Sequence, residues 1–301
     1  MTRAASPPHL DVAVVSHHSH GPTLLATLEA LAQASARWHT ACGATVQVVL
    51  LDNSDAGTDA ERLRTVVATL APRAGFACAL HVAGRNLGYG AGNNLALEQA
   101  ALSARAAGLA SGDDYVLVLN PDVRMAPDAL LTATAHLAVT PAAALLVPRA
   151  LDAHGRDLHL AHRYPDPWVF LLRGAGPAWL RTRERARLDR YEIRDRPIDR
   201  PHTVTVCASG CFLLLRADTW RTLGGFDPRY FLYFEDYDFS CRALALGHID
   251  YRPEVRILHD GGHAARKGWR HRRLFMRSAL RFFRTWGWSP RGFERRRGTS
   301  R

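Results

Sequence analysis

Three carboxylates, Glu235, Asp236 and Asp238, follow the run Phe231-Leu232-Tyr233-Phe234. An ionised acid beside so much aromatic surface is costly unless it is paired or meets a cation, so a catalytic acid or base is the first reading. Asp238 has an ordinary explanation: Arg242 lies four residues on, and acids suit the first turn of a helix. Glu235 or Asp236, its pKa raised by the aromatic surroundings, would take a proton from a hydroxyl.

Other residues carry chemistry of a different kind. Asp122 follows the apolar run YVLVLN and a proline; it either caps a turn or offers a hard oxygen to Mg2+ or Mn2+, ions that take few protein ligands and bridge phosphates. His259, beside Asp260, is either a structural histidine, as most lone ones are, or completes a metal shell opposite Asp122. Asp52, in DNSD, either forms an Asx turn or accepts the imide N–H of a uracil or thymine base. GRNLGYGAGNN, residues 84–94, lets backbone N–H groups approach phosphate and leads into a helix N-terminus, with Arg85 adding a positive charge. Its glycine spacing does not match the Rossmann fingerprint. The HHSH run at 17–20 reads as a polar loop with at most one side chain on a nucleotide.

The elements that must hold these residues alternate. Strands are expected at 11–16, 45–51, 77–82 and 115–120, with helices opening at Pro22, over about 60–70, and from the glycine-rich loop to about 107. Such alternation predicts an α/β fold with a mainly parallel central sheet flanked by helices, and ligands bind at the carboxyl ends of its strands. His17, Asp52, Arg85 with Asn86, and Asp122 all fall at such ends. Residues 150–203, rich in Arg, Asp, His and Pro, read as a long, partly ordered insertion of the kind that forms lids or binding loops. Strands at 204–207 and 212–216, a helix over about 235–246 and a strand near 255–259 complete the domain.

The 301 residues are 47% hydrophobic, enough for a sizeable core. Five cysteines without a CxxC pair, two of them (Cys207 and Cys211) in apolar sequence, suit buried thiols in a reducing compartment. No signal-peptide pattern and no run of eighteen apolar residues is present, so a cytoplasmic protein, soluble or peripheral on a membrane, is expected. Residues 264–301 hold thirteen Lys or Arg against one acid, a balance of +12 in a total of +11, which leaves −1 for the first 263 residues. That near-neutral body lacks the basic groove of a nucleic-acid binder. Within 269–288, Phe275, Ala279, Phe282 and Trp286 recur on one side of a helix, with Arg273, Arg277, Arg281 and Arg284 on another. This basic amphipathic helix either packs on the domain or meets an anionic membrane surface, and the second is the expectation.

Six segments, VVLLDNSDAGT, GRNLGYGAGNNLAL, YVLVLNPDV, ASGCFLLLR, GGFDPRYFLYFEDYDFSCRALALGH and ILHDGG, occur in an order that resembles the family-2 inverting glycosyltransferases of the GT-A fold, in particular the bacterial rhamnosyltransferase-like branch. The resemblance covers about residues 10–262. It implies a Rossmann-like domain at 1–263, with a nucleotide-sugar half at about 10–125, an acceptor half at about 204–262 and the insertion between them, followed by the basic tail at 264–301. It also implies transfer of a sugar, rhamnose among the candidates, from a nucleoside-diphosphate sugar to a hydroxyl of a cell-surface glycan or lipid-linked acceptor, with Mg2+ or Mn2+ as cofactor. By the same resemblance Asp52 contacts the base, with His17, Asn53, Arg85, Asn86 and Gly88 on the nucleotide side. Asp122 takes the place of the DxD metal ligand, with His259 as a further ligand. Asp236 is the base, with Glu235 as its alternative, while Gly210, Asp227 and Phe234 position donor and acceptor. Two departures stand out: Ser16-His17-His18 replaces the family's T-Y-N type tripeptide, and the insertion matches no family pattern. A nucleotidyltransferase would carry a glycine-rich, Arg-containing loop after strand one, where this chain has HHSHGP. A degenerate transferase acting as a scaffold stays open.

Overall fold

The computed structural model describes residues 6–109, 114–204, 206–260 and 268–299. Gly261-Gly262-His263, which closes the last motif, and the first four residues of the basic tail lie outside the described residues.

The first half alternates as its apolar periodicity demands: β1 (His9–Ser16), α1 (Gly21–Cys42), β2 (Thr45–Asp52), α2 (Ala60–Leu70), β3 (Ala77–Val82), α3 (Tyr89–Ala106) and β4 (Tyr115–Leu119). Pro22 stands in the first turn of α1, and Gly43 ends it in the left-handed region at φ 71°. Next come β5 (Val123–Met125), α4 (Ala129–Val139) and β6 (Ala143–Leu151). The insertion contributes β7 (Asp157–Leu158), β8 (Ala161–His162), α5 (Pro167–Ala175), α6 (Ala178–Arg183), α7 (Arg185–Tyr191) and β9 (His202–Val204). The chain then forms β10 (Cys207–Ala208), β11 (Phe212–Arg216), α8 (Ala217–Leu223), α9 (Glu235–Ala243), β12 (His248–His259), α10 (Trp269–Trp286) and α11 (Pro290–Thr299).

The main sheet runs β3-β2-β1-β4-β11-β6-β12-β5, with β7 on β6 and β9 on β12. Its first four strands are parallel, as expected, and the register pairs Ser16 with Asp52 and Val14 with Leu119, so their carboxyl ends lie level. Beyond them the sheet is mixed. β11 is antiparallel to β4, pairing Phe212 with Leu119. That reversal brings Gly210 and Cys211 to the edge where Asn120 and Asp122 emerge, and the Asn120 amide donates to the Cys211 carbonyl at 2.9 Å. Trp38, Phe212, Phe226 and Phe239 are among the largest fully buried side chains; burial of such a side chain contributes about 1.5–3 kcal/mol.

The insertion is more ordered than its composition suggests. Asp166 caps α5 by accepting the Val169 amide at 2.9 Å. Phe170 of α5 reaches Phe234, Phe275 and Phe283, so an aromatic cluster drawn from three separate segments holds it. The apolar side of α10 belongs to the same cluster. Phe282 is buried against Phe234, the Trp286 indole N–H donates to Asp238 at 2.8 Å, and the Ser278 hydroxyl donates to the Leu232 carbonyl at 2.8 Å. The apolar face expected to meet lipid is therefore spent on the domain itself. Cys207 and Cys211 are buried free thiols, as their setting predicts.

Candidate active site

The acids open α9 after an unusual bend. Tyr233 and Phe234 both lie in the left-handed region, at φ 70° and 67°; for residues this bulky each costs about 1–3 kcal/mol and persists only where surrounding packing imposes it. Phe234 is pinned by Phe170, Phe275 and Phe282. Directly after the bend, half-buried Asp236 accepts the Gly210 amide at 3.0 Å through Oδ2 and the Tyr237 amide at 2.9 Å through Oδ1. Glu235 is only 5% exposed, and its Oε2 has no hydrogen-bond partner among the described residues.

Burial raises the pKa of both acids, and the nearby charge of Asp236 raises Glu235 further. The two amide donors favour the ionised form of Asp236, whereas Glu235 has no side-chain donor to offset its burial. Environment thus distinguishes two adjacent carboxyls: both are raised by burial, Glu235 further than Asp236, whose oxygens are held by two amides. Asp238 pairs with Arg242 at 2.9 Å, as its spacing implies, and stands outside this chemistry.

Tyr89, the first residue of α3, joins the two halves of the site, and the sequence reading passed over it. Its phenol oxygen lies 2.6 Å from the Gly210 carbonyl oxygen and 2.9 Å from the Asn120 side chain. A phenol has one hydrogen, and the shorter contact takes it. Burial first, then the neighbouring Cys211, Glu235, Asp236 and Asp122, push its pKa well above the usual tyrosine value, so it stays a neutral donor. Gly210 fits between the Tyr89 ring and Asp236 because it has no side chain: an added Cβ would stand 3.2 Å from Tyr89 and 3.4 Å from Asp236.

On the metal side, β12 pairs with β5 so that His259 opposes Val123, and His259 Nε2 stands 3.4 Å from Asp122 Oδ1. Burial would lower the histidine's pKa, but hydrogen bonding to Asp122 and Cys211 outweighs it and lifts the value to about 10. Asp122 and His259 thus stand in direct contact with each other. Apart from this His259 contact, buried Asp122 Oδ1 has no hydrogen-bond partner among the described residues, which suits one carboxylate ligand of a cation bound otherwise by substrate phosphate. Asp260 turns outward to Arg124 at 3.0 Å. Among the described residues no group of three or more His, Cys, Asp or Glu side chains could hold a metal ion.

The nucleotide-side residues divide. Asp52 is buried: Oδ1 accepts the Ser54 amide at 2.9 Å, the Asx turn, while Oδ2 has no hydrogen-bond partner in the described chain. Asn53 is spent on the glycine-rich loop, donating to the Gly88 carbonyl at 3.0 Å and accepting the Leu87 amide at 2.9 Å. Asn86 closes the loop on itself by accepting the Gly88 amide at 2.9 Å. Gly88, at φ 83°, is glycine because a Cβ would run into the Phe231 carbonyl oxygen, and that same oxygen accepts the Tyr89 amide at 2.8 Å. The Tyr89 amide at the head of α3 is thus taken by its own chain, and Gly88 fastens the glycine-rich loop to the segment carrying the acids. Arg85 is exposed and outside every ion pair of the described residues. His17 is exposed beside His18, which is tied to Asp59. Of the expected positioning residues, Gly210 lies in the site, Asp227 is held at 2.6 Å by Arg229, and Phe234 faces the aromatic cluster.

No protein-family model matches the chain. It is 35% identical over 192 residues to the N-acetylglucosaminyl-diphospho-decaprenol L-rhamnosyltransferase of two Mycobacterium tuberculosis strains, over 60% of this chain and 58% of that protein. It is 28% identical over 188 residues to rhamnosyltransferase WbbL of Escherichia coli (strain K12), over 61% of this chain and 64% of that one. The fold resembles S. aureus TarS 1-349 in complex with UDP-GlcNAc, with a TM-score of 0.53 at 15% identity, over 91% of this chain and 66% of that one. The chain is similar in sequence to rhamnosyltransferases and shares the GT-A fold of TarS. The complex of TarS 1-349 with UDP gives a TM-score of 0.52 at 14% identity. The matches span less than two thirds of the length of the curated relatives.

Proposed function

We propose that this chain is an inverting glycosyltransferase, which moves a sugar, rhamnose first among the candidates, from a nucleoside-diphosphate donor to a hydroxyl of a lipid-linked or cell-surface glycan acceptor. The observation that carries the reading is Asp236: a carboxyl group with two amide donors, beside the buried Glu235, where β11 meets the carboxyl end of β4. The names of the rhamnosyltransferase relatives support the sugar and the lipid-linked acceptor, and the TarS complexes support a nucleotide donor.

In this mechanism Asp236 takes the proton of the acceptor hydroxyl as its oxygen attacks the anomeric carbon from the side opposite the leaving diphosphate, which inverts the configuration. The Gly210 and Tyr237 amides hold the carboxylate in place, and Tyr89 holds Gly210. Exposed Arg85 supplies positive charge on the donor side. Mg2+ or Mn2+, bound through Asp122, would offset charge on the diphosphate. Asp52 Oδ2 is the free acceptor for the base.

Among the described residues no helix is long and apolar enough to cross a membrane. The lipid-linked acceptor named for a relative supports the reading that the acceptor is met at the inner, cytoplasmic face of a membrane. Screening nucleotide sugars by thermal shift with Mn2+ tests the donor: a ligand bound only by the native state raises its melting temperature. dTDP-rhamnose is expected to give the largest rise. Binding without donor hydrolysis or transfer would mark an inert scaffold, and no response to any nucleotide sugar would sink the reading.

A further inference from the structure

Helix α10 carries a second apolar stripe, on the side away from the domain. Trp269, Met276 and Leu280 are 70%, 64% and 40% exposed. At 100° per residue they fall within about 40° of one another, opposite the buried Phe282. Trp288, 51% exposed, follows immediately and stacks on Phe283 at 5.3 Å. Around the helix, Arg272 flanks this stripe on one side and Arg273, Arg277 and Arg284 on the other; all four are exposed and in no ion pair among the described residues. α5, which packs on α10 through Phe170, adds exposed Trp168 and Leu171.

Large apolar tips normally stay scattered on a soluble surface. Here they form a line, edged by guanidinium groups that lack acidic partners. We propose that this outward stripe, and not the buried Phe275-Ala279-Phe282-Trp286 face, seats the protein on an anionic lipid surface, with α10 lying in the plane of the interface. Trp, Met and Leu enter the boundary between headgroup and acyl chain, where the amphipathic Trp ring is favoured, and the Arg stems lie along it with their charges on lipid phosphate. Since the inner face of α10 packs on Phe234, next to Glu235 and Asp236, the helix that meets lipid also braces the acid pair. The purpose of this contact, access to a lipid-linked acceptor, rests on the proposed transfer; the contact itself does not.

The test is flotation of the full chain with vesicles of phosphatidylcholine alone and of phosphatidylcholine mixed with an equal part of phosphatidylglycerol. Binding is expected only to the mixed vesicles, weakening as salt rises. The triple variant Trp269→Ser, Met276→Ser, Leu280→Ser should bind at least about tenfold more weakly, and Arg272→Gln, Arg273→Gln, Arg277→Gln about a hundredfold more weakly, at roughly one lipid-charge contact per Arg. Both variants change exposed positions and should melt with the wild type, whereas the buried-face control Phe282→Ala should melt lower. Wild type that ignores the anionic vesicles overturns the proposal, as does binding that follows charge alone and survives the apolar substitutions. A dimer in solution that the serine variant abolishes would assign the stripe to a second copy, and so also overturns it. Transfer to a water-soluble acceptor should be unchanged in both variants. If the wild type floats with vesicles but transfers no sugar to any acceptor, the transferase reading fails and the lipid contact stands.

Discussion

The Tyr89 hydroxyl donates to the Gly210 carbonyl at 2.6 Å, and the amide of the same glycine donates to Asp236 at 3.0 Å. A residue at the head of α3 thereby fixes, through one peptide, the carboxylate proposed as the base. Tyr89→Phe keeps the ring and removes the hydrogen bond, leaving the Gly210 carbonyl without its partner at a cost of about 1–3 kcal/mol. Turnover should drop by about tenfold, a positional loss, with little change in the KM for donor. The pH profile of kcat should also move, which a purely structural defect would not cause; measuring kcat and KM separately across pH checks both.

Asp236→Asn keeps an oxygen for one of the two amides. It should fold and bind donor like the wild type while losing transfer by about a hundredfold to ten-thousandfold, the usual worth of a general base. Donor calorimetry beside a transfer assay separates the two effects, and near-normal turnover would move the base to Glu235.

Glu235 gives a pH signature in stability. Burial holds its carboxyl above the ordinary value of 4.5, so between 4.5 and the raised value the folded chain keeps a proton that the unfolded chain has released. Its contribution is complete below 4.5 and is lost as the pH rises through the folded value. Glu235→Gln cannot ionise, so it should match the wild type in acid and become the more stable of the two as the pH climbs. Urea denaturation across pH reads this directly, and parallel curves would refute a neutral Glu235.

Asp122→Ala removes the buried carboxylate oxygen proposed to hold a divalent ion and frees His259 from its partner. Donor affinity should fall, and its dependence on Mn2+ should vanish. Titration calorimetry with and without Mn2+ measures this; equal affinities for wild type and variant would exclude Asp122 as the ligand.

What the sequence revealed and withheld follows from where each signal resides. β1, β2 and β4 are continuous apolar runs ended by polar residues, so their carboxyl ends, and Asp52 and Asp122 with them, are readable locally. α4 and β6 escaped because Ala-rich sequence and Pro148 inside a strand carry weak periodicity. The insertion looked loosely ordered because its anchor, Phe170, is held by rings more than sixty residues away. On α10 periodicity found an apolar side, but only the fold tells whether protein or lipid covers it. Tyr89 looked like a spacer between glycines, since its partners lie 31 and 121 residues distant; an aromatic at the head of a helix, within a loop of glycines, was the available hint.

The backing of Gly88 onto Phe231 sets a limit for anyone redesigning this loop to alter the proposed donor preference. Arg85 faces solvent and can be varied as a tuning position. Position 88 admits one amino acid, because a side chain there would wedge the loop away from Phe231 and carry the bend at Tyr233 and Phe234 with it. A library aimed at a new sugar would do best to randomise around that peptide and leave it alone.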